Sequence, residues 1–146
     1  MKKLWALYKK YKEIVNYLIF GGGTTLVSLA TYALFVDVCS LGIVAGKIAS
    51  WVCAVTFAYV TNKLWVFDSQ ARDGKTLLRE ALGFYGSRLA TGVVELVGLK
   101  ALMAVGLDQP LFGVEGFAAN LVITVVVIIL NYVLSKFLVF RKKQSQ

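Results

Sequence analysis

The sequence predicts an all-α integral membrane protein, with four transmembrane helices forming two parallel-repeat helical hairpins and both termini in the cytoplasm. Three observations lead there. The 146 residues are 58% hydrophobic and only 16% charged, whereas about a quarter of an ordinary soluble domain is charged. Four stretches stay apolar over the roughly 20 residues that a bilayer-crossing helix needs. The net charge of +8 is concentrated at the ends of alternate stretches, as topology requires. Mean hydropathy is +0.71. Such a chain is not a water-soluble enzyme domain, a disordered tail or a nucleic-acid-binding module with a solvated basic face. Its length predicts a single transmembrane domain over 1–146.

Residues 1–15 come first. Leu4, Leu7, Tyr8, Tyr11, Ile14 and Val15 recur at helical i, i+3, i+4 spacing with the lysines mostly opposite. The pattern predicts a basic amphipathic segment lying on an anionic inner leaflet, in contact with membrane lipids. It is not a signal peptide, because the next apolar stretch is too long and leads into three more spans.

The first span covers about 17–36 and comes directly after Asn16. Its run Gly21-Gly22-Gly23-Thr24-Thr25 lets a neighbour approach closely and lacks the Gly-Lys-Ser/Thr ending of a phosphate loop. The second span, about 43–61, has Lys47 as its only charge. A cytoplasmic loop is expected over 62–81. The third span, about 82–105, carries Arg88, Glu95 and Lys100. The fourth, about 114–134, contains the β-branched run VITVVVIIL. Helix is still the reading there, because strands in so short a chain could not satisfy their backbone groups in lipid.

Orientation comes from Lys and Arg. Lys2, Lys3, Lys9, Lys10 and Lys12 precede the first span. Lys63, Arg72, Lys75, Arg79 and Arg88 lie in or beside the middle loop, and Lys136, Arg141, Lys142 and Lys143 close the chain. Fourteen of the sixteen basic residues thus fall on one side, with Lys47 and Lys100 on the other. That side is the cytoplasm.

The even-numbered spans end alike. AYVTNKLWVF (58–67) aligns without gaps on NYVLSKFLVF (131–140), with five identities in ten. Each half is therefore a hairpin, and two crossings per half make the repeats parallel about the membrane normal. Lys63 and Lys136 sit at helix ends where a cation is favoured by the dipole and by lipid phosphates. They read either as interfacial anchors or, with Asn62 beside one and Ser135 beside the other, as duplicated sets able to hold a phosphate.

Chemistry has few other carriers. There is no His, which removes imidazole catalysis and imidazole metal ligation. Cys39 and Cys53 match no zinc or redox spacing. No cofactor, metal or enzymatic activity is expected. Ionisable groups inside a span are different, since each costs roughly 2.5–3.5 kcal/mol at the bilayer centre. Arg88 and Glu95 are seven residues apart, on one helical face with about 10 Å of rise between them. Something small and polar, or a residue of another helix, is expected between them, and Thr91 lies on that face. Arg88 reads as a snorkelling cation or a ligand-binding one. Glu95 is too deep to snorkel, so it is paired, protonated or facing a wet cavity. Asn131 reads as a helix–helix hydrogen bond or a ligand contact.

The pieces NYLIFGGGTTL, NKLWVF, FYGSRLATGVVEL and NYVLSKFLVF, in this order over about 16–140, resemble the GtrA-like family of small four-helix membrane proteins. Family members usually begin the first motif with Arg-Phe. Here Asn16-Tyr17 stand instead, so a cation at that place would come from Lys12 or another neighbour. The resemblance implies a flippase that moves polyprenyl-phosphate-linked monosaccharides from the cytoplasmic to the outer leaflet of a bacterial inner membrane. Cell-surface glycan synthesis is the setting, and a membrane glycosyltransferase is a partner. On that reading Arg88, Lys63 and Lys136, with Asn62, attract the phosphate. Glu95, Thr91 and Asn131, with Asn16, offer the sugar hydroxyls hydrogen bonds in a polar seam. So small a bundle has little room for a sugar, which predicts a homo-oligomer. Two other classes fit less well. One is a non-transporting subunit that anchors a glycosyltransferase. The other is a small proton-coupled multidrug exporter, which would place its acid in the first span.

Overall fold

A backbone in lipid must satisfy its own N–H and C=O groups, and among the described residues every regular element is helical. The computed structural model describes residues 2–110 and 116–141, with side chains from Trp5 onward. The side chains of Lys2, Lys3 and Leu4, the start of the expected fourth span at Val114, and Lys142 and Lys143 lie outside the described residues. Helix α1 is Lys2–Ala33, α2 Ile43–Thr61, α3 Gly74–Leu102 and α4 Phe117–Leu134. Each runs into one wide π-type turn, at Leu34–Val38, Asn62–Val66, Met103–Leu107 and Ser135–Val139. With these turns, all four helices are long and apolar enough to cross a membrane. The chain is a multi-pass membrane protein.

Two expected boundaries differ. Helix α1 is one continuous piece of 32 residues, about 48 Å at 1.5 Å per residue, against a hydrocarbon core of about 30 Å. The amphipathic segment expected over 1–15 is thus the first half of α1, because neither glycine nor proline interrupts 11–20. Helix α3 begins at Gly74, well before the span expected from 82. Asp73 caps it, its Oδ2 accepting the Thr76 N–H at 2.9 Å and satisfying a donor that the first helical turn leaves open. The loop expected over 62–81 shrinks to 67–73.

The chain divides into two compact units, Met1–Arg72 and Asp73–Gln146. The division falls at the junction of the repeats, so each unit is one hairpin. The aligned motifs fold alike. Phe67 N–H bonds the Asn62 carbonyl at 2.9 Å, and Phe140 N–H bonds the Ser135 carbonyl at 2.9 Å.

In the first unit α1 packs along α2. A Cβ on Gly23 would stand 3.2 Å from Phe57 Cε1, while Gly21 and Gly22 have nothing within 4 Å. The triple glycine therefore admits a neighbour at one position, not three. In the second unit α3 packs along α4, with Gly98 making room for Ile123. The rings of Phe84 and Phe140 lie 5.9 Å apart. Large apolar residues such as Leu18, Leu26, Leu29, Leu89, Leu96 and Ile129 are more than half exposed, whereas Ser50, Ala54, Ala58, Thr61, Ala119 and Ser135 are buried. Large residues outside and small or polar ones inside are what a lipid solvent selects.

Candidate functional site

A polar stripe runs down α3. Glu80, Phe84, Arg88, Thr91 and Glu95 succeed one another at intervals of four, four, three and four, which holds them on one face. Glu80, Phe84 and Thr91 are buried, and Arg88 and Glu95 are half-buried. The Arg88 guanidinium lies 4.8 Å from the centre of the Phe84 ring, a cation–π contact that strengthens away from water. Among the described residues neither Arg88 nor Glu95 is ion-paired, so both retain capacity for another group.

Between them Thr91 reaches α4. Its Oγ1 lies 2.8 Å from Asn131 Oδ1, and it also lies 3.0 Å from the Ser87 carbonyl and 3.2 Å from that of Arg88. A hydroxyl has one proton to give. Asn131 is 8% exposed, and its link to Thr91 joins the helices at the level of the Arg88–Glu95 interval. Asn131 is thus a residue of another helix level with this interval, and it makes a helix–helix bond.

The repeated ends carry two further polar sets. Lys63 is 8% exposed, and its Nζ donates to Ser69 Oγ at 3.0 Å. Asn62 is 2% exposed, and its Nδ2 donates to the Ala58 carbonyl at 2.6 Å while Oδ1 has no partner. The unmet demand of Asn62 Oδ1 is that of an acceptor, which suits a hydroxyl proton. Lys136 is half-buried, with Nζ 3.2 Å from Tyr132 Oη and over the Tyr132 and Phe137 rings. Ser135, aligned with Asn62, is 1% exposed, and its Oγ also has no partner. Leaving such an atom unsatisfied costs about 1–3 kcal/mol, and here it occurs at the same place in both repeats.

Asn16 belongs to the first unit. Its Nδ2 donates to the Trp65 carbonyl at 3.1 Å and its Oδ1 accepts from Tyr8 at 3.4 Å, fastening α1 to the turn after α2. Of the residues singled out from sequence, Asn16, Asn62 and Lys63 thus lie in the first unit. Arg88, Thr91, Glu95, Asn131 and Lys136 lie in the second. Ser135, read from sequence beside Lys136, also lies in the second unit. The sequence reading misses Glu80, which falls in the loop expected over 62–81, although its four-residue spacing from Phe84 extends the helical face.

These features define a small helical membrane protein with ionisable groups held inside apolar hairpins. The family model GtrA/DPMS, transmembrane domain, matches residues 16–140, and the chain belongs to that family. It is 36% identical over 132 residues to the "Cell wall teichoic acid glycosylation protein GtcA" of Listeria innocua serovar 6a, covering 90% of this chain and 87% of that one. The protein of the same name from Listeria monocytogenes serovar 1/2a is 34% identical over 132 residues, with the same coverage. The membrane protein YwcD of Bacillus subtilis is 32% identical over 130 residues, covering 89% of this chain and 98% of its own.

Proposed function

We propose that the protein is a flippase, moving a polyprenyl-phosphate-linked monosaccharide from the cytoplasmic to the outer leaflet of a bacterial inner membrane for cell-surface glycan synthesis. Both termini are then cytoplasmic, and no covalent bond is made or broken. A membrane glycosyltransferase supplies the lipid-linked sugar, and the working form is a homo-oligomer.

The observation that carries this reading is the polar face of α3, with Arg88 and Glu95 half-buried and unpaired among the described residues on either side of the Thr91–Asn131 link. A phosphate charge and sugar hydroxyls cannot cross hydrocarbon without losing water. A cation, a carboxylate and an amide along one face replace that water stepwise while the isoprenoid tail stays in lipid. Arg88, Lys63 and Lys136 attract the phosphate. Glu95, Thr91, Asn131 and Asn62 answer the hydroxyls. The names of the Listeria relatives support the setting, since they concern cell wall glycosylation.

Arg88→Ala in proteoliposomes loaded with a polyprenyl-phosphate-linked hexose should cut translocation by at least about a hundredfold, because a bidentate partner for phosphate is lost. Arg88→Lys should recover part of it. Flipping by Arg88→Ala at the unsubstituted rate removes Arg88 from the mechanism. A pure chain that moves no lipid alone but co-purifies with a transferase replaces the flippase reading with that of a non-transporting subunit.

A further inference from the structure

In the second unit the register of α3 on α4 fixes what surrounds Glu95. Thr91 reaches Asn131, a Cβ on Gly98 would meet Ile123, and one on Gly83 would meet Val139. The two helices are therefore antiparallel, and Glu95 stands level with Val127, which is buried. The elements packed closely on α3 are α4 and the turns Met103–Leu107 and Ser135–Val139. Helix α4 has no charged residue. Its one titratable side chain is Tyr132, whose Oη lies 3.2 Å from Lys136 Nζ. The turn Met103–Leu107 has none. The turn Ser135–Val139 brings Lys136, but the same register sets it level with Gly86, about 13 Å of rise from Glu95. On α3 itself Lys100 is exposed and turned about 140° from Glu95 around the helix. Lys75, Arg79 and Glu80 lie farther along α3 than Arg88. That leaves Arg88, about 10 Å away on the same face, as the cation aligned with Glu95 in this unit.

One fixed cation offsets one anion. A guanidinium keeps its proton throughout. With the site empty, Arg88 and a Glu95 carboxylate cancel, and this face of α3 has no net charge. A glycosyl phosphodiester brings one negative charge to Arg88. A Glu95 carboxylate is then a second anion with no cation of its own, in a span where an uncompensated charge is strongly disfavoured. A proton from water removes that charge. We infer that transport is proton-coupled: Glu95 takes up one proton as the phosphate reaches Arg88, and returns it to water on the side where the phosphate leaves. Each crossing then carries one phosphodiester anion and one H⁺, so no net charge moves, and the only bond formed and broken is the carboxyl O–H. A protonated carboxyl still accepts through its carbonyl oxygen and gains a proton to donate, so Glu95 serves the sugar hydroxyls in either state.

This coupling rests on the flippase reading and on Arg88 as the partner of the phosphate. The full chain in nanodiscs is titrated with a short isoprenyl phosphodiester of one hexose, by calorimetry in two buffers of different ionisation enthalpy, between about pH 5.5 and 7.5. The chain has no His, so no side chain has its ordinary charge change in that interval, and a phosphodiester keeps its single charge across it. Close to one proton should be taken up per lipid bound, and the affinity should rise by up to about tenfold for each unit by which pH falls. Glu95→Gln should bind without uptake, with an affinity that no longer follows pH. Should that variant bind too weakly to measure, Glu95→Asp, which retains a carboxyl, should still take up a proton. In proteoliposomes of the unsubstituted chain, the final distribution of lipid between leaflets should shift about tenfold per unit of pH gradient. It should ignore a membrane potential of about 60 mV, which shifts an uncoupled anion about tenfold. No uptake by the unsubstituted chain, uptake retained in Glu95→Gln or lost in Glu95→Asp, or a distribution that follows potential instead of pH overturns the coupling. If the unsubstituted chain still moves the lipid in any of these cases, the flippase reading stands. An unsubstituted chain that neither binds nor moves the lipid overturns both.

Discussion

At the end of α2, Lys63 is 8% exposed and its ammonium reaches Ser69. At the aligned position after α4, Lys136 is only half-buried and lies against the Tyr132 and Phe137 rings. The turn that holds each is the same, down to the i→i+5 bond that closes it. Beyond the turn the two ends part. After Phe67 the chain doubles back, Ser69 N–H bonding the Lys63 carbonyl at 2.8 Å, and so brings a hydroxyl to the ammonium. Duplication has preserved the local backbone while the surroundings of its cation diverged. One lysine has become part of the packing. The other stays nearer the surface of its hairpin.

Truncating each lysine tests that contrast and should show the largest stability difference. Lys63→Ala removes a buried stem and its bond to Ser69, a loss of about 2 kcal/mol. Lys136→Ala removes a cation from ring faces at a half-exposed place and should change stability by about 0.5 kcal/mol or less. Unfolding of both variants by dodecyl sulfate in mixed micelles measures the difference. Equal losses would mean that the two ends are structurally equivalent after all.

The link between α3 and α4 comes next in size. Thr91→Val keeps the shape of the side chain and removes the hydroxyl that lies 2.8 Å from Asn131 Oδ1. Hydrogen bonds between membrane helices average about 0.6 kcal/mol and reach about 1.7. The buried state of Asn131 puts the expected loss in the upper half of that range. Thr91→Ser should lose less than half as much by the same measurement. A Thr91→Val protein as stable as the unsubstituted chain would show that the bond contributes nothing to the hairpin.

Helix number and the repeat were legible in the sequence because lipid leaves the backbone few choices. A 20-residue apolar stretch must be helical, and the ten-residue repeat ties the end of α2 to that of α4. The helix limits were less legible. Asp73 carried the N-cap signal, but the polar loop around it masked where α3 starts, and Glu80 was misplaced as a result. Arg88, Thr91, Glu95 and Asn131 could be picked out as polar groups in apolar surroundings. The unmet atoms on Asn62 and Ser135 could not, because whether a side chain spends its donor on the turn before it depends on the rotamer.

The glycines give the smallest effects and the finest comparison of the two hairpins. In the second unit a Cβ at Gly98 would meet Ile123 Cδ1 and Cγ1. Gly98→Ala should therefore force that side chain aside and cost about 1 kcal/mol, the lower end for overpacking. In the first unit Gly22 has nothing within 4 Å of the same added atom. There Gly22→Ala gains helix propensity, up to about 1 kcal/mol in an exposed helix interior, and should leave the hairpin unchanged or slightly more stable. A loss at Gly22 equal to that at Gly98 would require a neighbour on that face from outside the chain. Because a second copy is the neighbour that a homo-oligomer supplies, the loss should then come with a shift from oligomer to monomer in light scattering. If the loss persists in a chain that is already monomeric, a lipid contact is the cause instead.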